Sequence, residues 1–148
     1  MNVSPIKTSI AQADDLPAIV SLLGACKLPA DDLSEGILGN FVVAKSGDDL
    51  VGVVGLEVLG TTGLLRSLAV EPQWRGRKLG ERLVAEGEAR ARDEVGALYL
   101  LTTTAQAYLQ RLGYEDVPRE TVPEAIASHA QFRGLCPASA KCLRKMLG

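Results

Sequence analysis

The sequence is short of several things that would mark a specialised class of protein. Only three of its 148 residues are cysteine, Cys26, Cys136 and Cys142. So sparse and odd a set, without a framework spacing, excludes a disulfide scaffold and fits free thiols in a reducing compartment. Four convergent metal ligands cannot be assembled, so neither a zinc centre nor any other metal is expected. The single histidine, His129, lies among alanine and serine with no acid or metal ligand beside it, and reads as a surface or partly buried residue. Charge of one sign is not in excess. The formal net charge is -2 and the pI about 5.4, which gives no overall footprint for nucleic acid or an anionic membrane. Residues 1–13 lack the charged start, apolar centre and small-residue cleavage site of a signal peptide. No apolar run reaches the roughly 20 residues that a membrane helix requires. The expectation is a cytoplasmic protein that engages neither nucleic acid nor membrane.

What is present is a globular composition, 47% hydrophobic and rich in valine, leucine and alanine. The length suits a single domain, 1–148, which can bury about two-thirds of its unfolded surface without a staple. Alternation marks a first strand over 6–10. Asp14 or Asp15 then offers a cap, Pro17 fits a first helical turn, and Leu16, Ile19, Val20 and Leu23 give one buried helical stripe. A short second helix is expected over 31–38. Strands over 41–44 and 50–54 flank a polar turn, and a second hairpin turns at 60–63 into a strand over 64–70. A long helix over 76–95 follows, with Leu79, Leu83, Val84, Gly87 and Ala91 near one face. Residues 97–101 read as a buried strand, parallel to a neighbour. A helical piece ending at Leu112 and Gly113, a strand near 114–117, a helical tail over 123–131 and a closing segment over 141–147 complete the chain. That order describes an α+β layer with a mixed sheet.

The informative stretch is Leu64-Leu65-Arg66-Ser67-Leu68-Ala69-Val70-Glu71-Pro72-Gln73-Trp74-Arg75-Gly76-Arg77-Lys78-Leu79-Gly80. An apolar strand stops at Pro72, and a loop with Arg75, Arg77 and Lys78 leads into the long helix. Helix starts present unpaired N–H groups and the positive end of the dipole. Gly76 and Gly80 let backbone approach a ligand, so the loop reads as a pyrophosphate cradle. It is not a dinucleotide fingerprint, since G-x-G-x-x-G is absent, and no Walker loop occurs.

At this point the sequence resembles the GNAT superfamily of N-acetyltransferases across nearly its whole length. The superfamily signature, Gln/Arg-x-x-Gly-x-Gly/Ala, is met as Gln73-Trp74-Arg75-Gly76-Arg77-Lys78, followed by Leu79-Gly80. The resemblance implies a mixed, mostly antiparallel sheet with helices on both faces, acetyl-CoA as co-substrate and, as is common in the superfamily, a homodimer. It implies that N–H groups from Arg75 through Gly76, Arg77, Lys78, Leu79, Gly80 and Glu81 hold the pyrophosphate. The backbone of Leu68 and Val70, flanking Ala69, would pair with the pantetheine amides. Lys78 takes the place of the second small residue, and the expectation is that it keeps helical dihedrals and adds charge near phosphate. The segment from Leu100 to Tyr114 resembles the superfamily's other recurring region, where a Phe-Tyr pair supplies the acid that protonates the departing thiolate. Here the pair reads Tyr108-Leu109. Leu109 stands where the acid would be, and Tyr108 points about 100° away on a helix. The tail, with Gln131-Phe132-Arg133 and Cys136-Pro137-Ala138-Ser139-Ala140-Lys141-Cys142, resembles the arsenic-resistance N-acetyltransferases, the ArsN group. That group is associated with amino-acid-like compounds, including phosphinothricin and its arsenic counterpart.

Direct attack of a neutral amine on the thioester needs a proton acceptor, because an aliphatic amine is mostly protonated at neutral pH. Glu57 is the foremost carboxylate candidate and Glu71 the next, with Tyr108 as the candidate acid. Arg66 and Ser67 lie on the central strand, where an arginine suits a carboxylate-bearing amine, and Thr103 joins them as a substrate candidate. Cys136 and Cys142 could hold an arsenic centre, though small apolar residues around a proline turn are the stronger reading. A non-catalytic acyl-CoA-binding module and a protein or peptide N-acetyltransferase stand as alternatives to an enzyme for a small amine.

Overall fold

Strands form where side chains alternate or run apolar: β1 (Ile6–Ile10), β2 (Val42–Ser46), β3 (Asp49–Leu59), β4 (Thr62–Val70), β5 (Ala97–Thr102), β6 (Glu115–Asp116) and β7 (Lys141–Met146). The computed structural model describes residues 5–76, 78–135 and 139–147. Its seven strands hydrogen-bond in the order β1-β2-β3-β4-β5-β7-β6. β1 with β2, β2 with β3, β5 with β7 and β6 with β7 are antiparallel, while β4 with β5 is parallel through Gly63, Leu64, Leu98 and Tyr99. The sheet is mixed and mostly antiparallel, as expected, and is joined by helices α1 (Leu16–Ala25), α2 (Leu79–Ala91), α3 (Gln106–Arg111) and α4 (Glu124–Ala127). Among the described residues no helix is long and apolar enough to cross a membrane.

Several expected elements change, each for a local reason. The helix expected over 31–38 is a 3-10 turn over Glu35–Asn40. Gly36 and Gly39 weaken helix there, and only Leu38 gains burial from it. α2 begins at Leu79 because Gly76 (φ 80) and Lys78 (φ 61) are left-handed and cannot belong to a right-handed helix. The tail helix shrinks to α4, with an irregular π-type turn over Gln131–Leu135 and Gly134 at φ 139. Asp15 does not cap α1. Its Oδ2 accepts from the Gln12 N–H at 2.8 Å, and Oδ1 pairs with Lys45 Nζ at 2.8 Å.

The chain divides into two compact units, Met1–Leu56 with Ser67–Gly87, and Glu57–Arg66 with Glu88–Gly148. In the first unit the stripe of α1, Ile19, Leu22 and Leu23, packs with Phe41, Val43 and Val53. Gly55 is what lets the Phe41 ring lie against β3, since a Cβ there would collide with Phe41 Cζ. In the second unit Leu64, Tyr99, Ile126 and Cys142 share a core. A charged cluster is buried there as well. Glu88, only 6% exposed, accepts from Lys145 Nζ at 2.9 and 3.1 Å and from the Tyr114 hydroxyl at 2.9 Å. Lys145 also donates to the Leu112 carbonyl at 2.9 Å. Burial, and then the adjacent Glu88 charge, hold the Tyr114 hydroxyl far above its ordinary pKa, so it stays a donor.

Candidate functional site

In the first unit the end of β4 and the start of α2 are built for backbone contact. Leu68 and Val70 are half-buried, while Ala69 between them is 5% exposed and belongs to the core. Ser67 is left-handed at φ 57, which interrupts the regular strand immediately before Leu68. Pro72–Trp74 form a 3-10 turn, and the Glu71 N–H returns to the Val51 carbonyl at 2.9 Å. Arg75 closes this loop rather than reaching outward. Its Nε donates to the Val70 carbonyl at 3.1 Å, and Nη2 lies 3.4 Å from Cys26 Sγ.

Gly76 then takes a left-handed turn with open space where a Cβ would sit, so backbone conformation rather than room selects glycine. Lys78 is exposed and also left-handed, at φ 61. The expectation that it keeps helical dihedrals is therefore corrected: the turn into α2 needs a positive φ at this position. Holding a lysine there costs about 1–2 kcal/mol relative to glycine. Arg82 N–H donates to the Lys78 carbonyl at 3.1 Å as the first turn of α2 closes. The N–H groups of Leu79, Gly80 and Glu81 precede that bond and have no partner within the helix, an arrangement suited to an anion. The Arg77 assignment lies outside the described residues.

In the second unit Glu57 of β3 is the centre of a hydrogen-bonded trio. Arg66 Nη1 of β4 and Nε2 of His129, which follows α4, each lie 2.8 Å from Glu57 Oε2. The side chains of Arg66, His129 and Glu57 are 0%, 9% and 17% exposed, so the three groups meet with little water between them. Burial pushes the Glu57 carboxyl up, but the hydrogen bonds from His129 and Arg66, with the Arg66 charge, outweigh it and hold the group below its usual range. Glu57 is thus ionised at neutral pH. Arg66, expected to face a carboxylate-bearing substrate, has its side chain committed to Glu57.

Other candidates spread out. Leu109 of α3 is 4% exposed and belongs to the packed interior, whereas Tyr108 is half-buried with the Arg111 guanidinium 5.9 Å above its ring. Thr103 is exposed in the bend between β5 and α3. Cys142 is 4% exposed on β7, and burial pushes its thiol up to about 11. Cys136 lies outside the described residues.

His129 is the member of this trio that sequence reasoning passed over. It meets Glu57 across 72 residues of chain, and no local spacing announces such a pair. The one available signal was scarcity: it is the only histidine in the chain.

Residues 38–116, more than half of the chain, match the profile of the acetyltransferase (GNAT) domain. No curated protein matches the sequence. Among solved structures the chain is similar to N-acetylglutamate synthase from Neisseria gonorrhoeae complexed with coenzyme A and N-acetyl-glutamate, at 21% identity and a TM-score of 0.84. That match covers 98% of this chain and 36% of the synthase, so the chain spans about a third of that protein's length. It is also similar to Rv2747 from Mycobacterium tuberculosis in complex with CoA, at 23% identity and a TM-score of 0.80, over 96% of this chain and 99% of that one. An acetyltransferase of the GNAT family from Staphylococcus aureus Mu50 matches at 15% identity and a TM-score of 0.79, over 97% and 100% of the two chains.

Proposed function

The chain belongs to the GNAT acetyltransferases, with acetyl-CoA as the acetyl donor, and we propose that its acceptor is the primary amine of a small amino-acid-like compound, with Glu57 taking the amine's proton. The observation that carries this reading is the Glu57 carboxylate, held ionised by Arg66 and His129 at 2.8 Å each. Folding alone gives little reason to desolvate three such groups, whereas a transferase needs a fixed base. The amino-acid class is supported by the similar synthase, whose structure contains N-acetyl-glutamate.

Acetyl-CoA is bound in this reading by the first unit. N–H groups from Gly76 to Glu81 take the pyrophosphate, and backbone groups of Leu68 and Val70 take the pantetheine amides, with Ala69 turned into the core. In the reaction the substrate ammonium gives one proton to Glu57, and its nitrogen lone pair attacks the thioester carbon. The carbonyl oxygen gains the charge and is polarised by strand amides near Val70. Collapse expels the CoA thiolate and leaves the nitrogen with one proton too many. That proton passes to the thiolate, through Tyr108 or through water, giving free CoA and the amide. Glu57 returns its proton to solvent.

Lys78 supplies an exposed charge to the loop at the expense of backbone strain. Lys78→Gly is expected to stabilise the unliganded protein by up to about 1 kcal/mol. The same change weakens CoA binding by about two- to fivefold, the worth of one exposed ion pair, and lowers its salt dependence. Calorimetric titration at two ionic strengths checks both; unchanged CoA affinity with an unchanged salt slope contradicts the role given to Lys78.

The function is tested by following thiol release from acetyl-CoA across amino acids, phosphinothricin, arsinothricin and an N-terminal peptide. Turnover with a free amino acid or an analogue of one supports the reading. Turnover with the peptide alone replaces the acceptor class, and CoA binding without turnover under any amine makes the chain a binding module. The second of these readings has one observation in its favour, the buried Leu109 at the position of the superfamily's acid.

A further inference from the structure

Resting on the assignment of Glu57 as proton acceptor, we propose that His129 is a positioning residue: with Arg66 it grips the carboxylate by Oε2 alone, so that Oε1 is the oxygen that receives the substrate's proton. Both donors fall on the same atom, each at 2.8 Å. Protonating Oε2 would break two charge-assisted hydrogen bonds, while protonating Oε1 breaks neither of them. Two donors from different segments also fix the rotation of the carboxylate, which one donor alone would leave free to swing.

The histidine is itself held in one tautomer. The Gln131 backbone N–H donates to His129 Nδ1 at 3.1 Å, so Nδ1 carries the lone pair. The ring hydrogen then sits on Nε2 and points at Glu57. Neither nitrogen can take the substrate's proton without giving up one of these bonds, so the ring acts through Glu57. Its backbone is pinned on both sides. His129 N–H donates to the Ile126 carbonyl at 3.0 Å, and the His129 carbonyl accepts from Phe132 and Arg133 N–H groups at 2.9 and 3.0 Å. Ile126 is fully buried, which anchors the turn in the core of the second unit. In the step itself an ammonium N–H bond breaks, its electron pair stays on nitrogen, and an O–H bond forms at Oε1. Arg66 and His129 keep their hydrogens throughout.

Because the chain has one histidine, its two ring nitrogens are directly observable by 15N NMR in the unmodified protein. The expected spectrum has an unprotonated Nδ1 and a protonated Nε2 whose resonance shifts in Glu57→Gln. The opposite tautomer, or an Nε2 indifferent to Glu57→Gln, overturns the inference even if no His129 variant folds. In kinetics, His129→Leu is expected to lower kcat tenfold or more with little change in the KM for acetyl-CoA. His129→Gln, which keeps an N–H donor at similar reach, should recover most of that loss. Equal losses in the two variants, or a wild-type kcat in His129→Leu, would sink the positioning role. The two levels separate cleanly: a Glu57→Gln enzyme with wild-type turnover removes the base assignment itself, whereas a slow Glu57→Gln beside a normal His129→Leu removes only the present inference.

Discussion

Glu57→Gln is expected to lower kcat by about 100- to 1000-fold, the usual contribution of a positioned general base, while leaving the CoA dissociation constant unchanged. The amide has nearly the shape of the carboxylate and can still accept from Arg66 or His129, so the second unit should stay folded. What it cannot do is take a proton. The pH profile sharpens the test. Glu57 lies below the ordinary carboxylate range because its two donors outweigh its burial. Its charge is therefore in place from neutral pH up to the amine's own pKa. Over that span the amine still carries the proton that it gives to Glu57, so log kcat/KM should stay level and turn down only above the amine's pKa. A rise with pH across that span would mean that the neutral amine is the species taken up, contradicting proton transfer to Glu57. A Glu57→Gln protein with wild-type kcat would leave the trio as a structural ion pair.

The largest loss of stability is expected at Glu88. Glu88→Ala removes the acceptor for Lys145 and the Tyr114 hydroxyl together, and among the contacts described leaves the Lys145 ammonium only the Leu112 carbonyl. Stranding a largely buried charge in this way costs about 3 kcal/mol. For a chain of this size the melting temperature should fall by about 10 °C, at roughly 2–4 °C per kcal/mol. The paired change Glu88→Met with Lys145→Met should recover most of that, because removing both charges strands neither. A fall under 2 °C for Glu88→Ala would show that water satisfies the pair.

Much of the fold could be read from pattern. The alternation and apolar runs of β1 to β5 locate those strands, and polar turns containing glycine separate β2 from β3 and β3 from β4. The parallel pairing of β5 follows from a short buried run placed after a long helix, and residues 141–147 do close the sheet as β7 (Lys141–Met146). The boundaries that failed were set by backbone angles. Nothing in the letters Gly76-Arg77-Lys78 says that the lysine is left-handed, because the preference against it is small enough for tertiary structure to override. The tail misled for a related reason: 123–131 has helical composition, but its turns tighten and loosen around Gly134 and the backbone bonds of His129.

The site was legible in the part that is local. A loop with its glycine, followed by a helix start, is written within eight residues, and so Gly76 to Glu81 could be singled out. The Glu57 trio is written across β3, β4 and the tail, and only Glu57 and Arg66 carried a sequence clue. Arg66 stood out because a guanidinium suits a carboxylate through a bidentate contact, and a carboxylate that it meets in the structure is that of Glu57. His129 had no neighbour in sequence to betray it.

The most direct test is a crystal structure of the protein with CoA and the acetylated product of its best amine. The account predicts the pyrophosphate against the N–H groups of residues 76–81, and the product nitrogen within hydrogen-bond reach of Glu57 Oε1. A pyrophosphate bound away from that loop, or a product nitrogen with Glu57 out of reach, would contradict it.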